Sequence, residues 1–169
     1  MPPKIKVMKR IFIVLLIILV ASVLVGMFLL CSERFISPIV YQEDLIIRND
    51  GRGNGYFGTH RSGRRTHQGA DLLAEIATPI LASRSGIVTS AKQIRGMGKY
   101  VVIKHFGGYT TLYGHLSAIY VHKGQIVFRG KIIGLVGKTG NANYRNILPH
   151  VHFELRKDGA PQDPLYYLD

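Results

Sequence analysis

From Thr78 onward, apolar and polar positions alternate in short runs broken by glycines, at residues 80–83, 86–91, 99–105, 109–115, 125–128, 131–136 and 151–156. Side chains in extended chain point to alternate faces, so each run predicts a strand. Phe106-Gly107-Gly108 predicts a hairpin between two of them. No segment of this region has helical periodicity, and no unit repeats at a fixed period. The pattern predicts an all-β domain of antiparallel sheets, in which residues from different strands meet at one end.

The first thirty residues follow another pattern. Residues 1–10 carry Lys4, Lys6, Lys9 and Arg10 and no acid, and they abut twenty uncharged, nearly all apolar residues at 11–30. Twenty residues of helix span about 30 Å, the hydrocarbon thickness of a bilayer. Basic charge before the span predicts a cytoplasmic tail, a single transmembrane helix, and everything after residue 31 on the outer side. The competing reading is a cleaved signal peptide, whose apolar region is normally about 7 to 15 residues followed by small residues. Here the run is longer, and Leu29-Leu30-Cys31-Ser32 offers no such site, so the reading is an uncleaved anchor. A lipoprotein signal would need a small residue where Leu30 stands. Residues 31–45, with Pro38, read as a tether, and 46–169 as one domain. A chain of 169 residues has no room for two enzymatic domains.

Candidate chemistry lies in three places. In Leu148-Pro149-His150-Val151-His152-Phe153-Glu154-Leu155, alternation puts His150, His152 and Glu154 on one face and Val151, Phe153 and Leu155 on the other. In His67-Gln68-Gly69-Ala70-Asp71, extended chain puts His67 and Asp71 on a common face, with Gly69 between them as an empty slot for a metal. Tyr113-Gly114-His115-Leu116 ends another strand. Two histidines and one aspartate with a fourth position left for water make the ligand set of a catalytic zinc; structural zinc closes all four positions, usually with cysteines. The chain has one cysteine, Cys31, which has no intramolecular disulfide partner.

These three blocks resemble the signature blocks of the lysostaphin-like (LytM-type) zinc metallopeptidases, which cut peptide bonds in bacterial peptidoglycan. Further matching stretches are Ala77-Thr78-Pro79-Ile80, Ser85-Gly86-Ile87-Val88, Val101-Val102-Ile103-Lys104-His105 and Val136-Gly137-Lys138-Thr139-Gly140, so the likeness runs from about Phe57 to Tyr167. The resemblance implies the same all-β fold with a zinc site in a groove. It implies that His67, Asp71 and His152 hold zinc, and that His115 and His150 are catalytic residues. One of these two would take the proton of a water molecule and the other stabilise the tetrahedral oxyanion, without the sequence saying which. Glu154 is either a carboxylate that orients a ligand histidine or part of a surface salt bridge. Some members of this family have lost zinc ligands and act as binding proteins that switch on other cell-wall hydrolases. In this chain all three ligands and both catalytic histidines are present, which implies a membrane-anchored zinc metalloendopeptidase. A third class, an anchored scaffold that binds wall through its basic surface, predicts no metal.

Charge narrows the partners. The chain carries 22 Lys and Arg against 10 Asp and Glu, a net charge of +12. Setting aside the four basic residues of the cytoplasmic tail leaves +8 for the outer part. So basic a chain usually suggests nucleic acid, but a domain outside the cytoplasm meets peptidoglycan peptides, anionic wall polymers and the lipid bilayer instead. Arg61, Arg64 and Arg65, just before His67, read as a solvated cluster or as a patch that holds acidic substrate. The turn-rich stretch 48–55 reads as a groove mouth or as the start of the domain, and 140–148 as one groove wall. Gly137-Lys138-Thr139 ends like a phosphate-binding loop, but Ile132 stands where that motif needs glycine. His60 and His122 read as surface residues, and His105 as packing or support.

Overall fold

The computed structural model describes residues 3–40, 45–61, 63 and 65–168. It divides into two compact units, Met1–Glu33 and Arg34–Asp169. The first is one helix, α1 (Pro3–Ser32), about 45 Å long at 1.5 Å per residue. Its described apolar side chains are exposed all round, Phe12 at 68% and Phe28 at 69% among them. A helix that is apolar on every face has no polar side to turn to water, and this one is long and apolar enough to cross a membrane.

In the second unit all pairings between the named strands are antiparallel. In chain order its strands are β1 (Asn49–Asp50), β2 (Gly53–Asn54), β3 (Ala70–Leu73), β4 (Pro79–Leu81), β5 (Gly86–Ile94), β6 (Gly98–His105), β7 (Tyr109–Leu116), β8 (Ala118–Ile119), β9 (Ile126–Val127), β10 (Ile132–Leu135), β11 (His150–Lys157) and β12 (Ala160–Gln162). The large sheet runs β12-β11-β7-β6-β5-β9, with β3 also paired to β11; β4-β10-β8 form a second sheet and β1-β2 a hairpin. The all-β expectation holds, and the seven predicted runs lie on β4, β5, β6, β7, β9, β10 and β11. A single 3-10 turn at Phe106–Gly108 joins β6 to β7, as the glycine pair predicts.

The core collects the inward positions of both sheets: Ile80 and Ile133 from the small one, Val88, Val101, Ile103, Tyr113, Val151 and Phe153 from the large one. β11 is flanked on both sides. Its first half pairs with β3, its second half with β12, and its other edge with β7. A strand in this position is buried on both faces, and residues 150–155 are all buried. The alternation read from the sequence therefore separates an apolar core face from a polar, equally enclosed face.

Part of the stretch read as a tether belongs to the domain. Phe35 and Ile39 are buried at 4% and 1% exposure. Phe35 meets His105, Tyr109 and Tyr167 edge to face at 5.5, 5.3 and 6.4 Å. Burying one such side chain is worth roughly 1.5–3 kcal/mol, enough to fold this segment onto the sheet. Residues 41–44 lie outside the described residues.

Candidate metal centre

β3, β7 and β11 bring the three sequence blocks together at one end of the large sheet. His152 is in register with Asp71 on one side and with Gly114 on the other. His67 comes from the loop before β3, held by its backbone to Thr59 and Gly58. His67, Asp71, His115, His150 and His152 are all buried.

Two glycines allow these approaches. A Cβ on Gly69 would stand 2.3 Å from the Phe153 carbonyl oxygen, and one on Gly55 would stand 2.5 Å from the Asp71 Cβ. The slot at Gly69 is thus filled by the neighbouring strand, which corrects the expectation that a metal would occupy it. The chain bends at Gly69, and His67 and Asp71 converge by that bend instead of by strand alternation.

His115 is aimed by a bulge. Between the pairs Val101↔Tyr113 and Lys99↔Leu116, β7 has two residues where β6 has one, and His115 has φ of 66°. Continued alternation from the core residue Tyr113 would turn His115 into the core. The extra residue and the left-handed backbone turn it outward, a usual service of bulges beside functional sites. Its ring lies 5.1 Å from that of His150 and 6.0 Å from that of His152.

Three atoms form a nearly equilateral triangle. His67 Nε2 is 3.0 Å from His152 Nδ1 and 3.1 Å from Asp71 Oδ1, and His152 Nδ1 is 2.9 Å from Asp71 Oδ1. Ligands bound to one zinc at 2.0–2.1 Å in tetrahedral geometry lie about 3.3 Å apart, so a slight widening accommodates the ion. Among the described residues this is the group of histidine and carboxylate side chains placed to hold a metal. Its chemistry, two imidazoles and one carboxylate, suits zinc with an open fourth position.

The far atoms fix the near ones. His67 Nδ1 is 2.9 Å from the Tyr56 carbonyl, which can only accept, so the proton sits on Nδ1 and the Nε2 lone pair faces the triangle. His152 Nε2 is 3.1 Å from Glu154 Oε1, which leaves Nδ1 for the triangle. Glu154 contacts His152 and is also ion-paired, but as a buried carboxylate and not at the surface: its other oxygen accepts from Arg156 at 2.9 and 2.8 Å, and Arg156 also donates to Gln68. His115 Nδ1 donates to the Thr139 carbonyl at 2.9 Å and His150 Nδ1 to the Leu148 carbonyl at 2.7 Å. Both therefore carry a free lone pair on Nε2, and that of His150 lies 3.9 Å from Asp71 Oδ1.

The electrostatics sort the same residues into two kinds. Burial would depress His152, but hydrogen bonds to Asp71 and Glu154 outweigh it and lift the group to about 9. Burial would raise Asp71, yet the hydrogen bond donated by His152 and the positive charge of that ring hold it well below the usual carboxylate range. Glu154 is lowered in the same way, against its burial, by His152 and Arg156. His115 is pushed down to about 3 by burial and by the neighbouring His150 and His152. His150 is also lowered, by burial only partly offset by Asp71. The triangle attracts positive charge, and the two histidines beside it stay neutral at pH 7.

Sequence reasoning missed the side chain behind Asp71. Arg48 is buried and donates through Nε and Nη2 to Asp71 Oδ2 at 3.2 and 3.0 Å. Nothing local in the sequence marks it, because its partner lies 23 residues away. Of the basic cluster, Arg61 turns inward, reaching Asp71 Oδ2 at 3.4 Å; Arg65 is exposed, and Arg64 lies outside the described residues. His60 and His122 are exposed and His105 is buried at the opposite end of the sheet, as their sequence readings had it.

A β domain with this donor set at one sheet end is of a metal-binding class, and its likeness to known proteins gives the family. The model of peptidase family M23 matches residues 65–164. The chain belongs to this family, whose peptidases are zinc metallopeptidases. It is 42% identical over 101 residues to the DD-carboxypeptidase/endopeptidase Mpg of Neisseria meningitidis, across 60% of this chain and 22% of that protein. The chain thus matches only about a fifth of that relative's length. Among solved structures, a chain of the SpoIIQ–SpoIIIAH pore-forming complex has a TM-score of 0.66 and 27% identity, over 81% of this chain and 92% of that one. A zinc-containing peptidase from Vibrio cholerae has a TM-score of 0.63 and 31% identity, over 77% of this chain and 39% of that one.

Proposed function

We propose that this protein is a membrane-anchored zinc endopeptidase that hydrolyses peptide bonds in bacterial peptidoglycan. Residues 11–30 would span the inner membrane with the N-terminus in the cytoplasm, and 46–169, extended back to Phe35, would be the catalytic domain on the outer side. The observation that carries the reading is the triangle of His67 Nε2, Asp71 Oδ1 and His152 Nδ1 with two neutral histidines beside it. The names of the peptidoglycan endopeptidases among its relatives support the substrate class.

In this reading His67, Asp71 and His152 hold the metal. When bound, zinc supplies a Lewis acid and lowers the pKa of water toward ~7. The remaining chemistry belongs to His115 and His150. Each presents a lone pair on Nε2 and no N–H there, so each is ready to accept the proton of the attacking water. A ring that has accepted it becomes an N–H donor at the same atom, able to stabilise the oxyanion and then to protonate the leaving amine. Leu148 and the Thr139 carbonyl hold the two rings in that tautomer.

A binding role is the second reading, favoured by the likeness to a chain of the SpoIIQ–SpoIIIAH complex. The full-length protein, purified in detergent, separates the two. The expected result is close to one zinc per chain and cleavage of purified peptidoglycan that a chelator abolishes and zinc restores. Zinc binding without cleavage would leave the binding role, and failure to bind zinc would overturn the metallopeptidase reading.

A further inference from the structure

We infer that Arg48 and Asp50 form a relay of positioning residues that sets both the metal-facing oxygen of Asp71 and the backbone carbonyl that orients His150. The inference rests on the zinc-peptidase reading above. Arg48 and Asp50 sit at the start of the β1–β2 hairpin, with side chains only 5% and 7% exposed. Arg48 places Nε and Nη2 on Asp71 Oδ2, at 3.2 and 3.0 Å. With that oxygen engaged, Oδ1 is the one left facing His67 and His152. The third guanidinium nitrogen, Nη1, is 2.6 Å from Asp50 Oδ1. Asp50 Oδ2 accepts the Leu148 N–H at 2.9 Å, and the Leu148 carbonyl accepts the His150 Nδ1–H at 2.7 Å.

Each carboxylate of this path divides its two oxygens between different partners. The planar fork of arginine can serve two carboxylates at fixed angles, which the single ammonium of lysine cannot. Asp50 spends one oxygen on Arg48 and the Arg52 N–H and the other on Leu148. Arg61 reaches Asp71 from a more exposed position, at 3.4 Å, and its bonds to Asn54 and Thr59 do not extend to the His150 side. One arm of the relay therefore governs the metal ligand and the other governs His150.

The two arms separate in experiment. Arg48→Lys in the full-length protein removes the fork from Asp71. Zinc affinity, read by competition with a chromogenic chelator, should fall about 10- to 100-fold, the usual effect of losing an outer partner of a ligand. Asp50→Asn keeps shape but has one acceptor and one donor end, so its amide must face either Arg48 or the Leu148 N–H donor to donor. This variant should keep zinc affinity within about threefold while kcat on peptidoglycan falls about tenfold or more. Nitrogen-15 spectra of the imidazoles in the zinc-free protein give a readout without turnover: Asp50→Asn should lower the share of His150 protonated at Nδ1. Unchanged zinc affinity in Arg48→Lys would overturn the first arm. Unchanged kcat and an unchanged His150 tautomer in Asp50→Asn would overturn the second, even if Arg48→Lys proved too unstable to assay. A wild-type protein without zinc or cleavage would instead remove the underlying reading, a distinguishable result.

Discussion

At one end of β6, β7 and β11 the chain buries His105, and at the other it buries His67, His115, His150 and His152. Around His105 the polar atoms form a closed path. Nδ1 is 2.9 Å from the Ser85 carbonyl, Nε2 is 2.8 Å from Thr111 Oγ1, Thr111 is 3.0 Å from the Tyr113 hydroxyl, and that oxygen accepts the Ser83 N–H. Each ring nitrogen has an oxygen partner. At the other end two ring nitrogens face each other at 3.0 Å, with a carboxylate oxygen about as far from both. Such lone pairs repel unless a cation, either proton or metal, lies among them. The difference teaches that burial of histidine does not mark a site; convergence of acceptors does.

Substitutions should respect that contrast. His152→Ala breaks the triangle and should release most of the zinc and with it all measurable cleavage, by metal analysis and peptidoglycan digestion. His115→Ala leaves the triangle intact. It should retain close to one zinc per chain and lose about 100-fold or more in turnover, the typical share of a general base or oxyanion donor. A His115→Ala protein without zinc would erase the boundary between holding residues and proton-moving ones.

The metal-free protein offers a subtler test. The His152 pKa is raised in the folded state from the usual ~6.5 to about 9. Stability from its charged contacts is therefore fully present below ~6.5 and is lost as pH rises toward 9. Zinc binding shows the opposite trend, because the ion must displace that proton. Melting of the chelated protein should weaken between pH 6.5 and 9 while zinc affinity strengthens over the same interval. Parallel trends would contradict the shared use of one nitrogen.

The smallest effect on chemistry is expected from the other end. His105→Ala removes one partner each from Thr111 and the Ser85 carbonyl, costing about 1–3 kcal/mol of stability for lost buried hydrogen bonds. Zinc content and turnover of the folded protein should stay near wild type. Loss of metal in this variant would mean that the two ends are coupled.

Much of this contrast is legible in the sequence. The alternation at 148–155 places His150, His152 and Glu154 on one face, and the short glycine-punctuated runs give seven of the strands. What escaped has particular causes. β1, β2, β8 and β12 are two or three residues long and lie outside the alternating runs. The aim of His115 depends on a bulge whose extra residue is visible only against β6. Gly69 reads as a gap because a sequence cannot say which neighbour fills it. Arg48 stands among turn formers, and its carboxylate partner is brought to it only when β3 folds beside it. Phe35 and Ile39 look like linker residues until the sheet gives them an apolar surface to cover.

The central claim is that His152 holds the metal while His150, its neighbour on the same face, moves the proton. Zinc stoichiometry and peptidoglycan cleavage measured side by side for His150→Ala and His152→Ala, in the full-length protein, test it most directly. His150→Ala should keep close to one zinc and turn over about 100-fold or more slowly, and His152→Ala should lose both metal and activity. The reverse pattern, zinc lost from His150→Ala and kept in His152→Ala, would contradict the account.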